Sequence, residues 1–451
     1  MMNNNLKYTL RMKQILKFQL WCKYSLLLAM NLLFTYGYSQ NPVPASSPQQ
    51  RILLLGGVVH TAAGTVIENG AVGFEGGKLK LVADASQIRI DRTAYDTVID
   101  TKNRHIYPGL IAMNTTIGIN EIEAVRATND FSETGSVNPS IRSLIAYNTD
   151  SKVTPTIRSN GILLAEIAPV GGLVSGQSSV VKLDAWTYDD AVMIADQGIH
   201  INWPSMRIIK SGKDDADEKQ MQRMVRELDQ VKKLFADAKS YATSGSKNEK
   251  NIHLESMKGL FDGSKKLYVH CNFVKEIIAA GSMCRDLGIS MVLVGGNDAL
   301  MAAGLLKSQQ IPVVLIKTHR LPSREDEAVD QPFTLPTQLR DSGITFAITT
   351  DDFWQMRNIA FHAGTAAGHG LSKEEALQSV TASPAKILNI YNRVGSLEIG
   401  KDATLVVSGG DIMDMKSSNI EMAFIEGRRI DLDSIQKQLN AKYRKKYGLN
   451  N

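Results

Sequence analysis

Between residues 108 and 391 the chain alternates short apolar runs with amphipathic stretches of helical length. The apolar runs predicted to be strands are Gly109–Asn114, Gly161–Ile167, Lys266–His270, Ser290–Val294, Pro312–Ile316 and Ile344–Thr349. Stretches between them, such as Val274–Leu287 and Lys373–Val380, have the apolar spacing of a helix. Strands that alternate with helices are typical of a parallel sheet, because each parallel connection needs a crossover. The alternation therefore predicts an α/β fold.

A different pattern flanks this block on both sides. Residues 51–107 and 392–432 contain short β segments punctuated by glycine, and Gly76-Gly77 is a hairpin signal. About 50 residues of strand cannot close a good core alone, so the first flank needs strands from elsewhere. Together the flanks predict one β-sandwich domain built from both chain ends, with the α/β block inserted into it. Residues 433–451 are predicted to be a basic, weakly helical tail at the periphery.

The N-terminal 39 residues have the composition of a secretory signal peptide. Five basic residues and no acid precede the apolar run Leu26–Phe34, and small residues precede a cleavage site before Gln40. The apolar run is too short to cross a bilayer comfortably. The sequence therefore predicts an exported protein, periplasmic or secreted, that begins with a flexible lead-in over residues 40–50. An uncleaved N-terminal anchor stays open as the alternative, and so does the choice of Met1 or Met12 as the start.

The distribution of charge limits the partners that this chain can bind. The full chain carries 51 basic and 46 acidic residues, a formal net charge of +5. Five of the basic residues lie in the predicted signal peptide, so 46 of each sign remain after cleavage. A balanced chain has no general attraction to nucleic acid or anionic membranes, so neither is predicted as a partner of the mature protein. Cys22 leaves with the signal peptide, and Cys271 and Cys284 are predicted to be two separate buried thiols.

Five phrases of the sequence resemble one known family. They are the strand phrase Pro108–Gly118, a hairpin over 66–71, a glycine-rich phrase over 171–178, a helical phrase over 377–388 and the closing phrase 394–403. Together they resemble the metal-dependent amidohydrolase superfamily, and within it the imidazolonepropionase-like exported group. The resemblance implies a (β/α)8 TIM-like barrel over 108–391, a composite β-sandwich and an active site at the carboxyl ends of the barrel strands. It also implies hydrolysis of carbon–nitrogen bonds in an amide-like small molecule, with one or two divalent metals that activate water.

Metal ligands that the family carries on its first and sixth strands are missing from this sequence. The resemblance places Asn114 and Thr116 where a His-x-His pair stands, and Gly295 where a further histidine stands. None of the eight histidines belongs to a His-x-His pair. Amide and hydroxyl oxygens bind zinc much more weakly than imidazole does. The three positions predict a degenerate metal centre and no tightly bound cofactor.

Two residues of the family's site are retained. The resemblance places His270 on the fifth strand as a metal histidine and Asp351 on the eighth as the catalytic aspartate, with Asp352 as the fallback if the register shifts by one. Glu166, on the predicted fourth strand, and the nearby Lys182 are candidates for a bridging ligand. Two donors alone leave a divalent ion mostly hydrated and weakly held.

Three interpretations of His270 and Asp351 stay open. They are relics in a metal-free mouth, bonded to each other or to loop backbone. They hold one weakly bound metal, such as zinc, with a third ligand such as Cys271. They act together as a metal-free acid–base pair.

Four other residues receive roles from their position in the chain. His319 and Arg324 follow the predicted seventh strand and are candidate substrate contacts, because loops after barrel strands face the mouth. His362 and His369 lie in an apolar helical run and are interpreted as structural.

Two functions remain as hypotheses. The first is an exported hydrolase of carbon–nitrogen bonds in a cyclic amide or peptide-like substrate, with metal-dependent activity impaired or absent. The second is a non-catalytic protein that keeps the barrel as a binding or partner module, as a homo-oligomer or beside an intact paralogous amidohydrolase. Because both share one fold, the site has to decide between them.

Overall fold

The structure is a computed structural model that describes residues 21, 43–208, 214–244 and 250–449. Apart from Trp21, the predicted signal peptide lies outside the described residues. Of the predicted lead-in, residues 43–50 are described and form no helix or strand. The backbone there is held at Ala45, whose N–H donates to Asp184 (3.0 Å) and whose carbonyl accepts from Arg428 (2.9 Å).

Sixteen strands and twelve α-helices lie in the described chain from residue 43 onward. The strands are β1 (Ile52–His60), β2 (Val66–Glu75), β3 (Lys78–Asp84), β4 (Thr97–Asp100), β5 (His105–Pro108), β6 (Leu110–Thr115), β7 (Ile162–Ile167), β8 (Val174–Lys182), β9 (Val192–Asn202), β10 (Lys266–Cys271), β11 (Met291–Gly295), β12 (Val313–Ile316), β13 (Phe346–Thr349), β14 (Leu405–Ser408), β15 (Ile420–Ile425) and β16 (Arg428–Arg429). The helices are α1 (Ser143–Ala146), α2 (Thr154–Arg158), α3 (Tyr188–Ala191), α4 (Asp214–Thr243), α5 (Ile252–Met257), α6 (Val274–Leu287), α7 (Ala303–Ser308), α8 (Gln331–Asp341), α9 (Ile359–Gly368), α10 (Lys373–Gln378), α11 (Ala382–Ile387) and α12 (Ile435–Lys446).

Eight strands form a nearly closed barrel sheet in the order β13-β12-β11-β10-β9-β8-β7-β6. β6 and β7 are parallel, as are the neighbours from β9 to β13, whereas β8 runs antiparallel to β7 and β9. Each of the six predicted strands overlaps a strand of this sheet, so the predicted α/β barrel is confirmed. The sequence prediction missed β8 and β9. β8 contains serine and glutamine and so lacks the continuous apolar run by which the other strands are predicted. Its first residues belong to the glycine-rich phrase 171–178.

The amino-terminal end of the barrel is plugged by the segment around α11. The Val380 carbonyl accepts from the N–H of Ile111 in β6 (2.9 Å), and Lys266 at the start of β10 donates to the Ile387 carbonyl (2.6 Å). Apolar side chains of this segment share one core with the barrel lining: Ala385, Ile387, Leu388, Ile390 and Val394 pack with Ile111, Met113, Leu164, Val180, Tyr268, Val292, Val294, Val314 and Ala347. The carboxyl-terminal end is therefore the mouth.

The other eight strands form a β-rich domain from both chain ends, as predicted. Their order is β16-β15-β14-β5-β1-β2-β3, with β4 also beside β1, so the sheet branches at β1. The joint between the two ends of the chain is the antiparallel pair β14 and β5, in which Leu405 lies opposite Pro108. Buried side chains from both ends, such as Leu54 and Phe424, share the domain's core.

Both candidate bridging ligands, Glu166 and Lys182, lie elsewhere than predicted. Lys182 ends the antiparallel strand β8 and so lies at the plugged end, where its Nζ pairs with Glu426 of the β-rich domain (3.0 Å). The prediction of Lys182 as a ligand at the mouth is therefore wrong. Glu166 lies on β7, which is the second strand of the barrel sheet rather than the fourth. The fourth strand is β9, which the sequence prediction had missed.

Within the described ranges, no helix combines the length and the apolar character needed to span a membrane.

Candidate functional site

Glu166 is a fully buried carboxyl group inside the barrel. Leu164, two residues earlier on β7, belongs to the barrel core, so Glu166 faces the same interior. Its Oε1 accepts from the Ser178 hydroxyl on β8 (2.9 Å), and its Oε2 accepts from the backbone N–H of Asn114 on β6 (3.2 Å). A buried carboxyl group needs such donors because desolvation without them is costly. Glu166 is therefore already bonded to the two neighbouring strands.

His200, to which the sequence assigned no role, extends this polar chain on β9. It is fully buried, with its Nε2 3.7 Å from Glu166 Oε1 and its Nδ1 2.9 Å from Nε2 of His270 on β10. Its ring stacks on Tyr268 with the centroids 4.6 Å apart. The signal that could have placed it is the alternation Ile199-His200-Ile201, which puts the imidazole on the opposite face from both isoleucines.

His270 is the partly exposed end of the Glu166–His200–His270 chain. Burial, together with the neighbouring His200, lowers the pKa of His270 to about 3, so its imidazole is neutral near pH 7. A base with so low a pKa accepts protons poorly at neutral pH. Within the described chain, His270 and Asp351 share no hydrogen bond or ion pair; each has another partner. The structure therefore does not assemble the acid–base pair by direct contact.

Asn114 and Thr116 occupy the end of the first barrel strand and the loop after it. Asn114 has a φ of 50°, in the left-handed region that asparagine tolerates better than most residues. This conformation accompanies the hydrogen bond from its N–H to Glu166 (3.2 Å). Its side-chain Oδ1 is buried and accepts no hydrogen bond from the described residues. Asn114 therefore offers an acceptor, and not an imidazole, at this position.

Gly295 ends β11 in a conformation that excludes a side chain. Its φ is +100°, which only glycine adopts readily. A Cβ at this position would lie 2.6 Å from Oδ1 of Asn272 and 3.0 Å from the Cys271 carbonyl oxygen. A histidine therefore does not fit here unless the Asn272 loop moves.

Asp351 lies at the mouth after β13, where Lys317 neutralises it. Its Oδ1 is 2.5 Å from the Nζ of Lys317, which follows β12 with a φ of 59°. An ammonium group so close repels a divalent cation from the same carboxylate. Asp352, the fallback, accepts from the N–H groups of Trp354 (2.8 Å) and Gln355 (3.1 Å). Asp352 therefore caps the short 3₁₀ turn that follows.

His319 and His362 pack on each other near Lys317. Their ring centroids are 4.1 Å apart, and His362 Nδ1 lies 2.9 Å from the Thr318 hydroxyl. His362 is buried, and burial with the nearby His319 and Lys317 lowers its pKa to about 4. His319 is exposed and lies 2.5 Å from the Thr365 hydroxyl through Nε2. Contact between His319 and a substrate stays a prediction, and the buried position of His362 suits the structural role expected for it.

Arg324 is held by two carboxylates. Its Nη1 contacts Asp298 in the loop after β11, and its Nε lies 2.9 Å from Asp326 Oδ1. Asp298 also accepts from the N–H of Val274 at the start of α6 (3.1 Å). Arg324 therefore joins neighbouring loops of the mouth, and its predicted contact with substrate stays untested.

The remaining candidate metal ligand is Cys271. Cys271 and Cys284 are separate buried thiols, and burial raises the pKa of both, that of Cys284 to about 12. A thiol that stays protonated is a poor metal ligand. Across the described ranges, no three His, Cys, Asp or Glu side chains are grouped so that they could hold a metal ion. The residues present therefore do not fit the divalent metal centre that the family resemblance implies.

A cavity of about 630 Å³ lies at the carboxyl-terminal end of β9, between the barrel and α4. Its lining includes Leu173, Asn202, Trp203, Arg207, Arg223 and Met224. The backbone N–H of Trp203 donates to the His270 carbonyl (3.0 Å), so a residue of the cavity wall is bonded to the backbone of His270. The indole Nε1 of Trp203 is buried and finds no acceptor among the described residues. Trp203, a residue of the cavity wall, therefore carries a buried hydrogen-bond donor without an acceptor in the described chain.

Comparison with known proteins identifies the family. The model of the amidohydrolase family matches residues 187–430, more than half of the chain. The chain therefore belongs to the amidohydrolase family. A curated relative, "Amidohydrolase tasK" of Hapsidospora irregularis, is 19% identical over 378 residues, which cover 76% of this chain and 38% of the relative. The chain thus spans well under half the length of that relative.

Solved structures share the fold. An amidohydrolase from Thermotoga maritima MSB8 superimposes with a TM-score of 0.72 at 22% identity, covering 84% of this chain and 99% of that one. A prolidase complexed with N-methylphosphonate-L-proline gives a TM-score of 0.51 at 14% identity, covering 84% and 99% of the two chains. Molinate hydrolase gives 0.51 at 13% identity, covering 86% and 96%. At these identities the similarity concerns the fold alone.

The depressed pKa of His270 predicts a pH-dependent stability. The pKa lies below its unfolded value of 6.5, so the unfolded state binds more protons as the pH falls from about 6.5 toward 3, and stability is lost in that window. Between pH 7 and pH 4, the wild type should lose about 3 kcal/mol more unfolding free energy than His270→Gln. Urea denaturation at both pH values measures this difference. Equal losses in the two proteins would show that His270 is protonated as easily in the folded state.

Proposed function

We propose that this protein is an exported amidohydrolase-family member that binds an amide-like small molecule at its barrel mouth without metal-dependent hydrolysis. The main support for the proposal is that His270 and Asp351 are each bonded to another side chain of the protein. His270 is bonded to His200, and Asp351 is paired with Lys317. The side chains that would form a metal centre in the family are here either replaced or engaged with other protein groups.

The positions of the missing ligands support the same conclusion. Asn114 supplies an amide in place of an imidazole, and its N–H is part of the support of Glu166. Gly295 lies where a Cβ would meet Asn272 at 2.6 Å. At both positions the backbone has a positive φ, which histidine adopts less readily than asparagine or glycine. Restoring the ligands would therefore require a change of backbone conformation as well as of side chain.

The cavity beside His270 supports binding. Its wall combines the indole of Trp203 with the guanidinium groups of Arg207 and Arg223. The carbonyl oxygen of an amide is a suitable acceptor for the indole N–H of Trp203, which has no acceptor among the described residues.

A second candidate function is hydrolysis of carbon–nitrogen bonds with one weakly held metal such as zinc. The retention of His270 and Asp351 at family positions favours it. Molinate hydrolase has the same fold, and the hydrolysis in its name motivates this alternative. A role as a partner of an intact amidohydrolase rests on the same loss of ligands as the main proposal.

Binding without turnover is tested with a panel of cyclic amides and dipeptides. At least one compound is expected to bind the wild type in calorimetry and to be recovered intact, by NMR, after incubation with added zinc or manganese. Trp203→Phe should weaken that binding about fivefold, because it removes one hydrogen-bond donor worth about 1 kcal/mol. Trp186→Phe is the matched control, since Trp186 is exposed elsewhere on the surface and should leave binding unchanged.

Two results of this experiment would overturn the proposal. Metal-dependent cleavage of a bound compound would favour the second candidate function. Binding that is equally strong in the wild type and in Trp203→Phe would place the site away from the cavity.

Export is proposed from the composition of the first 39 residues. After expression in a Gram-negative host, N-terminal sequencing of the protein from the periplasm or medium should begin at Gln40, because the small residues before it suit signal peptidase. A protein that stays with the membrane and keeps its first 39 residues would favour the uncleaved anchor instead.

A further inference from the structure

Helix α12 carries an apolar stripe that the protein leaves exposed. Ile435, Leu439, Tyr443 and the following Tyr447 are spaced four residues apart and so lie along one side of the helix. Their exposed fractions are 50%, 42%, 47% and 66%. No residue of α12 is buried. A stripe of this kind normally packs against another surface.

The charge of the same segment is entirely positive. Residues 435–449 contain Lys437, Lys442, Arg444, Lys445 and Lys446 and no aspartate or glutamate. The Nζ of Lys446 lies over the rings of Tyr443 (6.0 Å) and Tyr447 (5.3 Å). Tyrosines flanked by lysines are typical of helices that lie at the boundary between lipid headgroups and acyl chains.

The helix is attached to the body of the protein mainly at its start. Leu432 and Ser434 are buried, and the Ser434 hydroxyl caps the helix by accepting from the N–H of Lys437 (3.4 Å). In the first turn, the Thr156 hydroxyl donates to Gln436 Oε1 (2.7 Å). This attachment fixes the origin of the helix and leaves the apolar stripe facing outward.

We propose that α12 docks the protein onto an anionic lipid surface. The charge of the segment complements anionic headgroups, and its isoleucine, leucine and tyrosines can enter the interface. With 12 residues the helix is about 18 Å long, too short to span a bilayer, so it lies in the plane of the surface. The balanced total charge of the mature chain predicts no anionic membrane as a partner. The total charge conceals residues 435–449, in which every charged side chain is positive.

A second copy of this chain is a less suitable partner for the stripe. Pairing α12 with itself would bring two segments of five positive charges and no acid together, and like charges repel. The positive charge of residues 435–449 therefore favours an anionic lipid surface over a second copy of the chain as the partner.

Vesicle sedimentation of the mature full-length protein tests the proposal. The protein should bind vesicles of phosphatidylglycerol and phosphatidylcholine, and should bind pure phosphatidylcholine vesicles at least tenfold more weakly. Lys442→Glu/Lys445→Glu/Lys446→Glu should lower partitioning about a hundredfold, since each lysine near an anionic surface contributes about fivefold. Leu439→Ser/Tyr443→Ser should also weaken binding, because it removes the apolar part of the interaction.

A control variant has the same change of net charge on helix α4 instead of α12. Lys232→Glu/Lys233→Glu/Lys239→Glu alters three exposed lysines of α4 and should bind the vesicles within about twofold of the wild type. All variants should unfold at the wild-type temperature, since the altered side chains are exposed.

Three results would overturn the proposal. The first is wild-type protein that does not sediment with anionic vesicles. The second is an equal effect of the α12 and α4 charge reversals, which would indicate attraction by total charge. The third is a dimer in light scattering that Leu439→Ser/Tyr443→Ser abolishes without any lipid binding, which would assign the stripe to a second copy.

Discussion

A carboxyl group inside an apolar barrel must receive hydrogen bonds from the protein, and Glu166 imposes this requirement here. Its two oxygens take the Ser178 hydroxyl and the N–H of Asn114, and His200 lies beside it at 3.7 Å. His200 in turn occupies the Nε2 of His270. Contacts of Glu166 and His200 therefore link strands β6, β7, β8, β9 and β10 across the barrel interior.

On the other side of the mouth, side chains are also held by contacts within the chain. Lys317 supplies a positive charge beside Asp351, so that carboxylate is neutralised from within the chain. Gly295 brings the backbone of β11 close to Asn272, in a space that no side chain could share. The barrel, its plug and the β-rich domain persist around these changes, because they depend on apolar packing that the mouth residues do not supply. The fold therefore does not depend on which side chains occupy the mouth.

Local signals explain which parts of the molecule could be predicted from sequence. Apolar strands and glycine turns act over a few residues, so six barrel strands and the joining of the chain ends were predictable. β8 and β9 were missed because inward-facing polar residues such as Ser178 and His200 interrupt the apolar pattern. The substitutions at Asn114 and Gly295 could be seen in the sequence, but their backbone conformations could not. The pairing of Lys317 with Asp351 joins loops after two different strands, and nothing near either residue indicates it.

We propose that His270 and Asp351 are engaged by His200 and Lys317 and do not form a metal centre. Elemental analysis of the mature protein, purified without chelators, tests it most directly. We expect zinc, manganese and iron well below one ion per chain. We also expect more zinc in Asn114→His/Thr116→His, which places two imidazoles at the end of β6 and in the loop after it. Close to one ion per wild-type chain would contradict the account, and would mean that the side chains of the mouth rearrange around a metal.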